Sequence, residues 1–341
     1  MIDSAIKKLV EQTDLTFDEA SCAMEEIMSG KVSQVLITAF LIGLRTKGET
    51  IEEIAGAATA MRNAAVHIPS QRAHMIDTCG TGGDGSGTFN ISTVTAFIIS
   101  GAGYTVAKHG NKSVSSRCGS ADVLTQLGVN INIAPQEIST CLDTIGIGFL
   151  FAPLLHGAMK NAMPVRKELG LRTIFNLLGP LTNPARVTAQ LMGVYDEKLV
   201  SIIGNVLPRL GVKHAMVVHG QGIDEITNLG KTHACIVQEN NVEIVTIEPK
   251  DFGLSVAAKK DISGGDALIN AVHITDILKG KRDKRRDVAL MNAAAGILIA
   301  SRDAGDKRAH DLKQAFGIAE ESIDSGAALK KLEELAAFTN K

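Results

Sequence analysis

The chain has 341 residues, 45% hydrophobic and 21% charged, with a formal net charge of -2. That is ample for one large or two moderate domains, and it provides no global field to draw nucleic acid or an anionic membrane surface, so any anion must be bound locally. The opening MIDSAIKKLVEQTDL lacks a signal-peptide apolar region and the 94–107 run is broken by glycines, which predicts no membrane span; the five scattered cysteines lack a CxxC pair and read as free thiols in a reducing, cytoplasmic compartment.

The first 65 residues predict helices only. Thr16 with Glu19 and Thr50 with Glu53 form capping boxes, Ser33 can cap QVLITAFLIGL, and Gly30 ends the helix before it. The 35–44 helix is so apolar that it must be buried in the core or against a second subunit. Beyond residue 72, short β-like runs alternate with helical ones. These are MIDT and a helix near 90–101; YTVAK and 120–128; a run near 149–152 and a helix over 157–169; VTAQLMGVY and 197–210; then HAMVVHG. Alternation of this kind predicts an α/β fold with a mostly parallel, helix-flanked sheet. Residues 232–249 read as a hairpin, KGKRDKRRD at 279–287 as a solvated loop, and 320–338 as one long amphipathic helix.

Between the first strand and the helix after it lies DTCGTGGDGSGTFNIST, with glycines at 80, 82, 83, 85 and 87. Glycine is costly to order, and a plain turn needs one or two. Gly80, Gly82 and Gly85 match G-x-G-x-x-G, but the next strand ends in Lys108 and His109 where a dinucleotide site wants an acid; no Gly-Lys-Ser/Thr closes a P-loop. The remaining reading is a nest of backbone N–H groups for a phosphate or diphosphate, with Asn90, Ser92 and Thr93 adding donors. Asp84 is awkward beside an anion unless a divalent cation is shared.

A second strand-to-helix loop, KHGNKSVSSRCGSAD, offers Lys108, Lys112 and Arg117 with Asn111, Ser113, Ser115, Ser116 and Ser120. Alone it reads equally as a surface loop; beside the first it suggests a ligand with two separated phosphates. Asp224 and Glu225 follow HAMVVHG and a Gly-Gln-Gly turn. Isolated, that pair is ordinary turn chemistry; near two phosphate loops it fits Mg²⁺. No HExxH, His/Cys cluster or nucleophile elbow is present, and His214 and His219 read as structural.

GTGGD at 80–84, NxST at 90–93, KHGN at 108–111, GSAD at 119–122 and VRKELGLRTIFNLLGPLTNP at 165–184 resemble the anthranilate phosphoribosyltransferase family of tryptophan biosynthesis, with Asp224-Glu225 and NAA at 292–294 in keeping. The resemblance runs through nearly the whole chain. It implies a nucleoside phosphorylase-like phosphoribosyltransferase fold: a small helical domain (1–70, joined by 165–185) carrying a homodimer contact, and an α/β domain (71–341). It implies phosphoribosyl transfer from phosphoribosyl diphosphate to anthranilate with Mg²⁺. By the same resemblance Gly80, Gly83, Asp84, Thr88, Asn90, Ser92 and Thr93 hold the diphosphate; Lys108, Asn111, Ser116 and Ser120 hold the ribose 5-phosphate. Gly80, Asn111, His156 and Arg166 face anthranilate, with Gly179 and Pro180 shaping its pocket. Ser92, Asp224 and Glu225 contact the metal. Departures are Gly157, where the family has proline, and Cys118 and Thr125, where it often has serine and glutamate.

An aniline nitrogen already carries a lone pair, so no general acid or base is assigned; stabilising the departing diphosphate and aligning the reactants are the tasks. A nucleoside phosphorylase would need no Mg²⁺ pair. A nucleic-acid module is disfavoured by neutral charge, two tyrosines and no tryptophan.

Overall fold

The computed structural model describes all residues except 114–116, so the expectations on Ser115 and Ser116 lie outside the described residues. Four helices come first: α1 (Ile2–Val10), α2 (Phe17–Met28), α3 (Gln34–Lys47) and α4 (Ile51–Ala64). Both capping boxes form, and the Ser33 hydroxyl accepts the Leu36 N–H. Glu53 does more than cap: fully buried, it also accepts the Leu15 N–H (2.9 Å) and pairs with Lys47 (3.0 Å). On α3, Ile37, Phe40, Leu41 and Leu44 face the core while Val35 stands 77% exposed. The intramolecular core thus takes one face of that helix only.

The second part runs β1 (Met75–Gly80), α5 (Ile91–Gly101), β2 (Thr105–Gly110), α6 (Ser120–Gln126), α7 (Pro135–Ile145), β3 (Ile147–Phe151), α8 (Ala152–Leu155), α9 (Met163–Leu169), α10 (Phe175–Leu181), β4 (Ala189–Gly193), α11 (Lys198–Arg209) and β5 (His214–Gly220). The hairpin β6 (Thr232–Gln238) and β7 (Asn241–Ile247) follows, then α12 (Ala267–Leu278), α13 (Lys284–Asp303), α14 (Leu312–Asp324) and α15 (Ala327–Thr339). One seven-stranded sheet has the order β3-β2-β1-β4-β5-β6-β7, parallel from β3 to β5 and antiparallel through the hairpin. The chain leaves β1 to one side for β2 and returns to its other side for β4. The carboxyl edge between β1 and β4 is therefore the switch point of the sheet, where α/β proteins open a crevice.

Two large cores cover the sheet. Ile76, Leu191, Met216 and Val218 pack with α5 and α12–α15. From the other face Met192, Ala215 and Val217 join α11, α10 and all four N-terminal helices in one continuous cluster.

Three expectations are corrected. The predicted helix over 157–169 is split, because a 3₁₀ turn at Gly157–Asn161 precedes α9, whose first turn holds Pro164. The 320–338 helix is two, broken where Gly326 takes φ 79°. The basic run at 279–287 is not wholly solvated: Arg286 is buried and bonds Asp324 at 2.7 Å.

Candidate active site

Gly80 ends β1, Gly110 ends β2, Phe151 ends β3, Gly193 ends β4 and Gly220 ends β5, so every loop singled out in the sequence opens on one edge of the sheet. Gly82, Gly83, Gly85 and Gly87 have φ between 64° and 73°, left-handed geometry that side chains resist. The backbone N–H groups of Gly83, Asp84, Gly85 and Gly87 find no partner among the described residues. Four unspent donors on a glycine turn are what an anion-binding nest requires.

The start of α5 differs from expectation. Its N–H groups are spent internally: Ile91 on the Phe89 carbonyl, Thr93 on the Asn90 carbonyl, and Ser92 on Glu225 Oε1 at 3.1 Å. The Thr93 hydroxyl is buried without a partner among the described residues. The Asn90 amide joins three loops, donating to the Cys118 carbonyl (3.2 Å) and accepting from Asn270 Nδ2 (2.9 Å), while Asn270 accepts the Gly265 N–H (2.8 Å). Sequence reasoning missed Asn270, which lies on an unremarkable helix. Thr88 pairs with Ser263, tying the glycine turn to that same segment.

The acids close over the turn. Asp224 Oδ2 accepts the Gly82 N–H at 2.7 Å, and the Asp224 N–H donates to Asp84 Oδ2 at 3.2 Å. The other Asp84 oxygen takes the Ser86 N–H and hydroxyl, both at 2.9 Å. Contact is so close that a Cβ at Gly193 would collide with the Asp224 carbonyl, and one at Gly80 with its carboxylate. Removal from water, then the charge of Asp84, pushes the Asp224 carboxyl up to about 7. Glu225 is raised well above the carboxylate range by burial and by Asp224, with Lys108 opposing. Lys108, itself lowered by burial, is nearly inaccessible and donates to the Thr78 carbonyl and to Ser92 Oγ (3.3 Å). Its ammonium therefore props up the glycine-loop helix.

Crowded hard oxygens that drive one another toward protonation suit a small divalent cation. No group of three His, Cys, Asp or Glu among the described residues could hold a metal by itself, so further ligands would come from hydroxyls, water or substrate phosphates.

The second loop is organised by Asp122, one of whose oxygens accepts the N–H groups of Ser113 and Gly119, each at 2.9 Å. Ser120 opens α6 with its hydroxyl 3.4 Å from the Asn111 carbonyl, and Asn111 is exposed. Beside this loop, His109 and His156 meet through their Nε2 atoms at 3.2 Å. Burial lowers His109 to about 3, with the neighbouring imidazole adding to the effect, and lowers His156 to about 4. Both rings are neutral at neutral pH. Arg166 on α9 is half-buried, with only the Met163 sulfur (3.8 Å) and the Phe175 ring (5.1 Å) against it and no carboxylate among the described residues. Arg172, which the sequence reading passed over, donates to the Gly83 carbonyl and stacks 4.2 Å above Tyr195.

Comparison with known proteins agrees with this layout. A glycosyl transferase family a/b domain model matches residues 72–329, and the helical bundle domain model of that family matches 3–65. The chain is 50% identical over 341 residues to the anthranilate phosphoribosyltransferase of Clostridium kluyveri, covering 100% of each. It superposes on the Thermus thermophilus enzyme with a TM-score of 0.93 at 38% identity, 99% of each chain covered. For the Saccharomyces cerevisiae enzyme in complex with PRPP and Mg the TM-score is 0.89 at 28% identity, with 99% and 98% covered. Matched by the two domain models over 3–65 and 72–329 and by these relatives over nearly its whole length, the chain belongs to the anthranilate phosphoribosyltransferase family.

Proposed function

We propose that the chain transfers the phosphoribosyl group of 5-phosphoribosyl 1-diphosphate to the amine of anthranilate, releasing diphosphate, in L-tryptophan biosynthesis. The observation that carries this reading is the pairing, on one sheet edge, of an unspent amide nest with an overcrowded acid group. A nucleoside phosphorylase has no use for the second.

In the reaction the aniline lone pair forms the new bond to C1 as the C1–oxygen bond breaks; the electron pair leaves with diphosphate and the nitrogen later sheds a proton to water. The N–H groups of Gly83, Asp84, Gly85 and Gly87 receive the growing negative charge, with Thr88, Asn90, Ser92, Thr93 and Gly80 shaping the turn around it. Asn111, Ser116 and Ser120 belong to the ribose 5-phosphate side, whereas Lys108, expected there, is buried with its ammonium on Thr78 and Ser92 and acts from beneath the glycine turn. Ser92, Asp224 and Glu225, with Asp84 beside them, would hold Mg²⁺, which neutralises diphosphate charge when bound. Arg166 meets the anthranilate carboxylate, and Gly80, Asn111 and His156 complete that pocket. The imidazoles of His109 and His156, neutral at neutral pH, add no charge beside the amine, which as a weakly basic aniline nitrogen already carries a free lone pair.

Residues 1–70 with 165–185 form the helical domain of this proposal and 71–341 the phosphoribosyl diphosphate-binding domain. The half-open face of α3 supports homodimerisation through the helical domain, which sedimentation tests. The free state of all five cysteines fits the cytoplasm, and no helix among the described residues is long and apolar enough to cross a membrane. The test of activity is loss of anthranilate fluorescence with phosphoribosyl diphosphate and Mg²⁺. No loss, alongside phosphorolysis of a nucleoside, would overturn the reading.

A further inference from the structure

We infer that Asn292 is a positioning residue for the acid pair, acting through the backbone of Ile226; the inference rests on the proposed role of Asp224 and Glu225 as metal ligands. Asn292 lies fully buried in the middle of α13. Its Oδ1 accepts the Ile226 N–H at 3.0 Å, and its Nδ2 donates to the Ile226 carbonyl at 2.7 Å and to the Val288 carbonyl at 2.9 Å. One side chain thus grips both polar groups of the residue that directly follows Glu225, as a neighbouring strand would.

The need for such a grip follows from charge. Asp84, Asp224 and Glu225 crowd one corner of the site, the Asp224 N–H lying 3.2 Å from Asp84 Oδ2 and Glu225 being the next residue, and like charges so close repel one another. Lys108 opposes this for Glu225, but its hydrogen bonds go to Thr78 and Ser92. Repulsion favours spreading of the loop. An anchor in a dry core must resist that without adding charge and without leaving backbone groups unpaired, which costs about 1–3 kcal/mol each in general. A neutral carboxamide satisfies both conditions; a leucine would strand the peptide groups, and an ionised carboxylate would add a further repelling charge. The platform is firm, because α13 packs against β1, β4, β5 and α5, and Asn228 donates to the Lys284 carbonyl at 2.8 Å, a second tether of the same loop to this helix.

Second-sphere groups of this kind change metal affinity by roughly 10–100-fold. The test is titration of Mn²⁺, followed by its EPR signal, into wild type, Asn292→Ala, Asp224→Asn and Leu298→Ala, with and without phosphoribosyl diphosphate. Leu298 is a buried residue farther along the same helix. Asn292→Ala is expected to weaken Mn²⁺ binding about 10–100-fold, in the direction of Asp224→Asn, with the anthranilate KM moved less than about twofold. Leu298→Ala is expected to leave Mn²⁺ affinity unchanged. Wild-type Mn²⁺ affinity in Asn292→Ala beside a loss in Asp224→Asn would overturn the positioning role, as would equal losses in Asn292→Ala and Leu298→Ala. No loss in Asp224→Asn would overturn the metal reading itself. Should Asn292→Ala fail to fold, the near-isosteric Asn292→Asp, which keeps an acceptor for the Ile226 N–H, is judged by the same outcomes.

Discussion

The two halves of the site handle charge in opposite ways. On the proposed donor side, burial and then the charge of Asp84 push Asp224 up to about 7, beside a turn whose N–H groups are unspent among the described residues. On the proposed acceptor side the histidines are discharged, His109 at about 3 and His156 at about 4, and the Arg166 guanidinium has no carboxylate beside it among the described residues. The first half gathers acids and free N–H donors around one turn. The second presents neutral imidazoles and one guanidinium. Substitutions should accordingly damage turnover on one side and recognition on the other.

The sharpest test of that division is Asp224→Ala with Glu225→Ala. Loss of both carboxylates is expected to lower kcat on the order of 10²–10³-fold and to shift the Mg²⁺ dependence, as loss of transition-state charge stabilisation does. Steady-state rates across a Mg²⁺ series check it, and normal kinetics would remove the metal assignment. Next in size is Arg166→Ala. A hydrogen bond to a charged group contributes about 1.5–3 kcal/mol, so the anthranilate KM should rise roughly 10–100-fold with kcat little changed. A fall in kcat at constant KM would move Arg166 out of the acceptor pocket.

The histidines give a smaller, pH-dependent effect. Their folded values lie below the ordinary value of 6.5, so the unfolded chain binds more protons as the pH falls. The stability they contribute is fully present above about 6.5 and is lost as pH falls toward about 4 for His156 and about 3 for His109. Each costs up to about 1.4 kcal/mol per pH unit in that window. The buried carboxyls of Asp77, Asp224 and Glu225 are shifted upward and contribute the opposite slope. Comparison of variants therefore isolates the term: His156→Gln should lose stability less steeply than wild type between pH 6.5 and 4 in denaturant melts. The smallest effect is expected at Gly157. A Cβ there meets open space, and the residue opens a 3₁₀ turn, where proline is tolerated. Gly157→Pro should change the anthranilate KM less than about twofold and raise the melting temperature slightly, since proline restricts the unfolded chain.

Much of this was legible beforehand because the signals were local. The Thr16 and Thr50 capping boxes, the alternation of strand and helix, and five glycines in eight positions each report on neighbours a few residues away. What stayed hidden depends on residues far apart in the chain. Nothing around Lys108 announces that it bonds Thr78 and Ser92 from beneath, and nothing around Asn270 that it reaches Asn90. The α5 N-terminus misled for the same reason: Glu225 takes the Ser92 N–H from 133 residues away. Arg172 escaped notice beside the more prominent Arg166, although a guanidinium after a Gly-Leu turn in a strongly patterned segment was a signal available to read.

The contact between Gly193 and the Asp224 carbonyl bears on how this chain can vary. Every other amino acid carries a Cβ, and a Cβ at 193 collides with backbone, which cannot rotate aside. All single-base missense changes of a glycine codon are therefore barred at once. A residue given no part in the proposed chemistry, at the end of a strand that supplies none of the proposed ligands, is thereby as closed to mutational drift as the acids it lies against.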